Sequence, residues 1–496
     1  MTTELNRRTF LGSAAAAALV AGAASLRTTP LFAKESFAGL DAMAQAELVR
    51  KKELTALELV DAAIARINAV NPKVNAVVTE FFDKARETAK GRLPESPLSG
   101  VPYLIKDLND FTGERRTSGS RLFANFKSPG TDPVPEKAVD AGLVVLGKTN
   151  TPEFGLMAST ESLLLGDCRN PWNLEHSSGG SSGGAAAAVA AGMLPVAHAS
   201  DGGGSIRIPA SCCGVFGMKP SRGRMSLGSK PMPGDIGVEN CVSRTVRDSA
   251  MVFSLSEDRS ADAPLKPVGF VSGLSRRRLT IAFSTADYFG REPHAEVKAA
   301  IEATANLCDD LGHIIVEAKN PLHGEEFIDA FLTVWASGPA SLVELARSKG
   351  LKPEKVLEPW TLGLAEFFAR KPKDALQKSL AFFSEAEAKT DAFMARYDTW
   401  LTPVLARPAP KLGEQAPTVE FNTLYERIVH YVSYTPIHNV AGTPAMSVPL
   451  GMSKDGLPIG SQFAAAKGGE GLLFALAYEL EQAQPWTIRH AGVYAG

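Results

Sequence analysis

The sequence predicts an α/β fold, and three observations carry that expectation. Short apolar runs of strand length alternate with longer segments of helical period along most of the chain. The 496 residues contain no long polar linker and no internal repeat that would divide them. With 45% hydrophobic and 21% charged residues, the chain has the material for one large buried core.

The elements can be justified in order. Thr55 and Glu58 form a capping box ahead of the apolar-periodic run Leu59, Val60, Ala63, Ile64, Ile67, Val70, which Asn71-Pro72 is expected to stop. Gly100–Lys106 reads as the first core strand. Asp132-Pro133 caps a helix ending at Gly142, and Leu143–Leu146 follows as a buried strand. The run Leu279–Phe283, the helix His294–Leu311 and the run Ile314–Val316 continue the alternation. Between Gly324 and Tyr397 the chain becomes helical and aromatic-rich, with Phe327, Phe331, Trp335, Trp360, Phe367, Phe368, Phe382 and Phe383. Aromatics dominate cores, so packed helices are the plain reading of that segment. Strands resume at Thr399–Leu405, Met446–Leu450 and Ile459–Phe463, before a last amphipathic helix from Glu470 to Gln482.

The stretch from Asn173 to Lys219 stands apart. It holds two Gly/Ser clusters, Gly179-Gly180-Ser181-Ser182-Gly183-Gly184 and Asp201-Gly202-Gly203-Gly204-Ser205, joined by the Ala-rich helix candidate Ala185–Ala191 and the apolar run Leu194–Ala199. Glycine loses the most backbone entropy inside helices and strands, so neither cluster suits an element interior. Three glycines and a serine after a strand-like run read as a nest of free backbone amides that can hold an anion or oxyanion. Neither a P-loop nor a dinucleotide fingerprint is present. A serine closing such a nest is placed as a nucleophile beside its own oxyanion hole. Upstream, Lys106 ends an apolar run. It is either a surface residue closing a strand or the base of a Ser–Lys pair, and its own surroundings do not decide.

Gly100-Val101-Pro102-Tyr103-Leu104-Ile105-Lys106-Asp107, then Gly179–Gly184, then Asp201-Gly202-Gly203-Gly204-Ser205-Ile206-Arg207-Ile208-Pro209-Ala210 form an ordered set that resembles the amidase signature family. The likeness extends roughly from Leu40 to Gln484. It includes Gly147-Lys148-Thr149-Asn150-Thr151-Pro152-Glu153-Phe154, Arg169-Asn170-Pro171-Trp172, Asn439–Ala445 and Asp455–Gly460. The resemblance implies a single large domain with a mixed β-sheet core covered by helices and a helical variable segment at about 324–397, part of which would wall the acyl pocket. It implies a Ser–cis-Ser–Lys triad, with Ser205 as nucleophile, Ser181 as the bridging serine after a cis peptide bond, and Lys106 as base. The amides of Gly202, Gly203, Gly204 and Ser205 would form the oxyanion hole, and Asp201, Arg207 and Ser182 would support these groups. Within the family the chain is most similar to the 6-aminohexanoate cyclic-dimer hydrolase type, in Ala44–Arg50, Pro195–His198 and Arg207–Ser211.

The residue chemistry agrees with that implication. A serine hydroxyl needs a base to attack, and a lysine, ordinarily titrating at about 10.4, must be depressed by burial to serve as one. A hydroxyl between them can both accept and donate a proton.

At the N-terminus, Asn6-Arg7-Arg8-Thr9-Phe10-Leu11-Gly12 is a twin-arginine pattern, followed by the weakly apolar run Ser13–Ala24. Residues 1–33 are therefore expected to be a signal peptide cleaved after Ala33, with Ala23 as the other site, leaving residues 34–496 in the periplasm. The run is too short and alanine-rich for stable membrane insertion. A net charge of −2 carries no footprint for nucleic acid. Five cysteines at irregular spacing argue against a disulfide framework. The histidines show no metal-ligand spacing, so neither a metal nor another cofactor is expected.

The function expected is hydrolysis of a small-molecule carboxamide, linear or cyclic, including a 6-aminohexanoate-type oligomer, through an acyl-enzyme. Two alternatives compete. A glutamine-amidase subunit of a transamidation complex would work on charged tRNA in the cytoplasm, against the export signal. A non-catalytic exported protein would use the nest to hold a carboxylate, against the complete Lys106–Ser181–Ser205 set. Oligomeric state, a homodimer included, is left open.

Overall fold

The capping box forms as expected. The Thr55 hydroxyl accepts from the Glu58 amide at 3.1 Å, and the Glu58 carboxylate accepts from the Thr55 amide at 2.8 Å. The helix it opens, Ala56–Val74, does not stop at Asn71-Pro72: Pro72 lies in its last turn and Asn75 closes it in the left-handed conformation at φ 53°. A proline so close to the end removes only one late hydrogen bond, and the fully buried Val74 anchors the turn beyond it. Asp132 precedes the helix Pro133–Asp140, but its side chain makes no cap bond. It turns back to accept from the Asp110 amide at 2.9 Å. These elements belong to a computed structural model that describes residues 37–228 and 234–495; the expected signal peptide lies outside the described residues.

Two sheets meet at the heart of the molecule. The smaller places Val144–Thr149 between Val77–Glu80, which is antiparallel to it, and Pro102–Lys106, which is parallel. The larger has eight strands in the order Ile314–Glu317, Thr280–Phe283, Thr399–Pro403, Pro458–Ala464, Ala445–Met452, Phe216–Lys219, Val238–Ser243, Val196–Asp201. Thr280–Phe283 is parallel to both of its neighbours and the other pairs are antiparallel, so the sheet is mixed. Its last strand, Val196–Asp201, lies against the lysine strand Pro102–Lys106, where the Lys106 amide donates to His198 Nδ1 at 3.4 Å. The candidate site occupies this seam.

The helix Gly183–Ala190 is buried along its length except at Ala190, and alanines 185–188 are fully covered. Small side chains let it approach both sheets closely while adding almost no side-chain entropy cost. The segment expected to be helical forms Gly324–Ser348, Pro353–Val356, Pro359–Ala369 and Ala375–Met394. Phe327, Phe331, Phe383, Phe393 and Trp400 share one apolar cluster that fastens it to the larger sheet.

Candidate active site

Every residue of Pro102–Lys106 is buried, and Lys106 at its end is inaccessible to solvent. Its Nζ donates to Ser181 Oγ at 2.7 Å and to Ser200 Oγ at 3.0 Å. Burial pushes the amine down to about 7, with the Asp201 and Glu239 carboxylates pulling in the opposite direction. A free amine is thus accessible near neutral pH, where an ordinary lysine is almost wholly charged.

The two Gly/Ser clusters are stitched together. The Gly180–Ser181 peptide bond is cis. Ser182 Oγ donates to the Ser200 carbonyl at 3.2 Å and accepts from the Ser200 amide at 3.3 Å. The Ser182 amide donates to the Ser205 carbonyl at 3.3 Å. Gly180 of the first cluster and Ser205 of the second line one cleft, although no hydrogen bond joins the Ser181 and Ser205 hydroxyls among the described residues.

Behind Ser205 lies a buried polar knot. Asp201 accepts from the amides of Gly204 at 2.8 Å and Ile206 at 3.1 Å, from Asn439 Nδ2 at 2.8 Å, and from Arg207 at 2.9 and 3.0 Å. Arg207 also donates to the Thr435 carbonyl, Gln462 Oε1 and Asn439 Oδ1, at 2.9, 2.8 and 2.7 Å. Burial alone would raise the Asp201 carboxyl, but the Arg207 guanidinium overrides it and holds the group well below the usual carboxylate range. The knot corrects one expectation. The Gly204 amide is committed to Asp201, so it is not available to an oxyanion. Gly204 has φ +136°, and a Cβ there would stand 2.3 Å from Thr435 Oγ1, so only glycine fits. The amides of Gly202, Gly203 and Ser205 have no acceptor in the chain among the described residues.

Ser205 is 7% exposed and opens onto a cleft of about 530 Å³, its open mouth included. The lining is apolar: Leu156, Met157, Ile208 and Ile428 on one side, Ile328, Phe331, Leu332 and Trp335 from the helix Gly324–Ser348, and Trp360 beyond. Spacing by four residues stacks Phe327 on Phe331 at 6.2 Å and Phe331 on Trp335 at 5.5 Å. The row lies directly against the nest, since Trp335 Cζ3 is 3.2 Å from where a Gly202 Cβ would stand.

A family model described as Amidase matches residues 58–474. The chain belongs to the amidase signature family. It is an amidohydrolase acting on C–N bonds. Among relatives, AmiC of Mycobacterium tuberculosis is 38% identical over 466 residues, covering 93% of this chain and 98% of its own. The 6-aminohexanoate-cyclic-dimer hydrolase of Pseudomonas sp. is 36% identical over 90% of this chain and 96% of its own. A solved structure of 6-aminohexanoate cyclic dimer hydrolase complexed with substrate superposes with a TM-score of 0.85 at 33% identity, covering 92% of this chain and 99% of that one.

Sequence reasoning about the amidase site reached Lys106, Ser181, Ser182, Asp201, Ser205 and Arg207, which the structure brings to one seam. It missed Ser200, Thr435, Asn439 and Gln462. A signal for Ser200 was available, because alternation along Val196–Asp201 puts His198 and Ser200 on one face, the face that meets the lysine strand. Thr435 and Gln462 come from distant parts of the chain and carry no local signature, and Asn439 opens the Asn439–Ala445 stretch of the family likeness, which assigns it no role. The five cysteines are all buried and unbridged.

Proposed function

We propose that this amidase hydrolyses a neutral carboxamide with an apolar acyl part through an acyl-enzyme on Ser205. The observation that carries the reading is the buried Lys106 amine, 2.7 Å from Ser181 Oγ, behind an apolar cleft that Gly180 and Ser205 help to line. The neutral amine takes the Ser181 proton, Ser181 takes the Ser205 proton, and Ser205 Oγ attacks the carbonyl carbon. The amides of Gly202, Gly203 and Ser205 receive the oxyanion. The proton returns through Ser181 to the leaving nitrogen as the C–N bond breaks. Water then cleaves the ester by the same path, releasing the acid and restoring Ser205.

Among the described residues lining the cleft none is charged, which favours uncharged acyl chains, cyclic amides among them, over the α-ammonium and α-carboxylate groups of glutamine or another free amino acid. Cyclic amides are consistent with the 6-aminohexanoate-cyclic-dimer hydrolase relative. The enzyme is exported folded by the twin-arginine route and works in the periplasm; Arg7-Arg8-Thr9-Phe10-Leu11 ahead of Ser13–Ala24 supports this. The test is a screen of the purified enzyme over aliphatic, aryl and cyclic amides, with Ser205→Ala as the blank. Turnover of neutral apolar amides that is absent from the blank is expected. A preference for amides with charged acyl groups would overturn the substrate reading.

A further inference from the structure

Lys106 has a neighbourhood that the proton path does not use. Its backbone amide donates to His198 Nδ1 at 3.4 Å, so that nitrogen is an acceptor and the ring hydrogen sits on Nε2. Nε2 lies 3.3 Å from Glu239 Oε2, to which it donates. Asn109, three residues past the lysine, donates to Glu239 Oε1 at 2.8 Å. Glu239 stands directly across the strand pair from Ser200, whose hydroxyl accepts from Lys106 Nζ. The carboxylate is thus tied at both oxygens to groups that hold the lysine strand. Its side chain is 19% exposed, well short of free solvation.

We propose that Glu239 is a positioning residue for Lys106: through His198 and Asn109 it fixes the end of the lysine strand, and its negative charge keeps the buried amine basic enough to accept a proton. The inference rests on Lys106 being the base. Without a nearby anion, a desolvated lysine becomes too weak a base to draw a proton from a serine. Asp201 is the other anion facing Lys106 and acts on it more strongly than Glu239, but it is bound to Arg207 and, among the described residues, makes no bond to a group that holds the lysine strand. Asp107 follows Lys106 in sequence and is engaged by Thr117. Burial would raise the Glu239 carboxyl, but its bonds to His198 and Asn109 and the charge of Lys106 override it and hold the carboxyl below the usual range, so it remains charged.

The test is the pH dependence of kcat/KM on a neutral anilide that the wild type turns over. Activity needs unprotonated Lys106, so the rate rises with pH, with the wild-type midpoint near 7. Removing the negative charge favours the neutral amine. Glu239→Gln should therefore move the rising limb to lower pH by about one unit, the order for a charge within roughly 10 Å at an effective dielectric constant of about 20. The plateau rate should fall as the base weakens. Glu239→Asp keeps the charge and should leave the limb near the wild-type position. If Glu239→Gln does not fold, Glu239→Ala, which leaves room for water, is read the same way. A limb that stays in place when the charge is removed, while Lys106→Ala is inactive, would overturn the role of Glu239 and leave the base assignment standing. Full activity in Lys106→Ala would instead overturn the base assignment beneath it.

Discussion

The floor of the cleft and its aromatic wall differ in how they are held. On the floor, Asp201 and Arg207 are fully buried and bonded to each other, to two backbone amides, and to Asn439, Gln462 and Thr435. In the wall, Phe331, Leu332, Trp335 and Trp360 meet the cleft through apolar contact. A directional network tolerates almost no change, because each lost partner leaves a buried polar group unsatisfied. An apolar wall can be reshaped with volume as the main penalty. Under the proposed function, the reaction belongs to the seam of the two sheets and the choice of acyl group to the helices laid over it.

Substitutions break or sharpen that contrast, and the largest effect belongs to the floor. Ser205→Ala removes the atom that bonds the acyl group, so amide turnover should fall by at least about 10⁴-fold. Intact-protein mass after fluorophosphonate treatment should show no adduct; a persisting adduct, or one mapped to Ser181, would reassign the nucleophile. Next come Lys106→Ala and Ser181→Ala, each expected to reduce kcat by about 10²–10⁴-fold while leaving Ser205 in place. Lys106→Arg should not restore activity, since a guanidinium stays protonated; a rescued rate would count against a proton-accepting role.

Stability separates the two regions more plainly than rate. Arg207→Met leaves the Asp201 carboxylate buried without its cation, at a cost of about 3–5 kcal/mol. A denaturant midpoint indistinguishable from wild type would show that the knot is not structural. Trp335→Ala should do the reverse. The half-buried ring faces the cleft, so kcat/KM for bulky apolar acyl groups should drop roughly tenfold relative to acetyl amides, with only a small shift in midpoint. A large loss of stability with an unchanged substrate ranking would make Trp335 a packing residue. The smallest effect on the enzyme itself is expected from changing Arg7 and Arg8 together to Lys. Specific activity should be unchanged while precursor accumulates in the cytoplasm, as fractionation and immunoblotting would reveal. Enzyme still found in the periplasm would point to another export route.

Much of this protein was readable in the chain because the rules involved are local. A capping box spans four residues, a helical stripe repeats every three or four, and a strand alternates every two, so Thr55–Glu58, the apolar run from Leu59 to Val70 and the lysine strand announce themselves. Glycine clusters mark backbone that must do something other than pair, and the nest pointed to Ser205, whereas Ser181 came from the family resemblance. Local rules also set the limits of the reading. Pro72 reads as a stop, yet the burial of Val74 carries the helix past it. The Gly204 amide reads as one of four free donors, yet Asp201, three residues earlier, takes it.

What remained was decided by contacts with no period and no fixed spacing. Thr435, Asn439 and Gln462 reach Arg207 across more than 200 residues of chain. Ser200 and Glu239 become neighbours of Lys106 only because two separate sheets abut. Helical spacing places Phe331 and Trp335 on one face, but only the packing of that helix turns the face toward Ser205. Even the state of Lys106 is a tertiary property. The sequence by itself determined which side chain stands at the end of the strand, whereas the seam that excludes water from it, and so brings its amine near neutrality, exists only once the two sheets have closed.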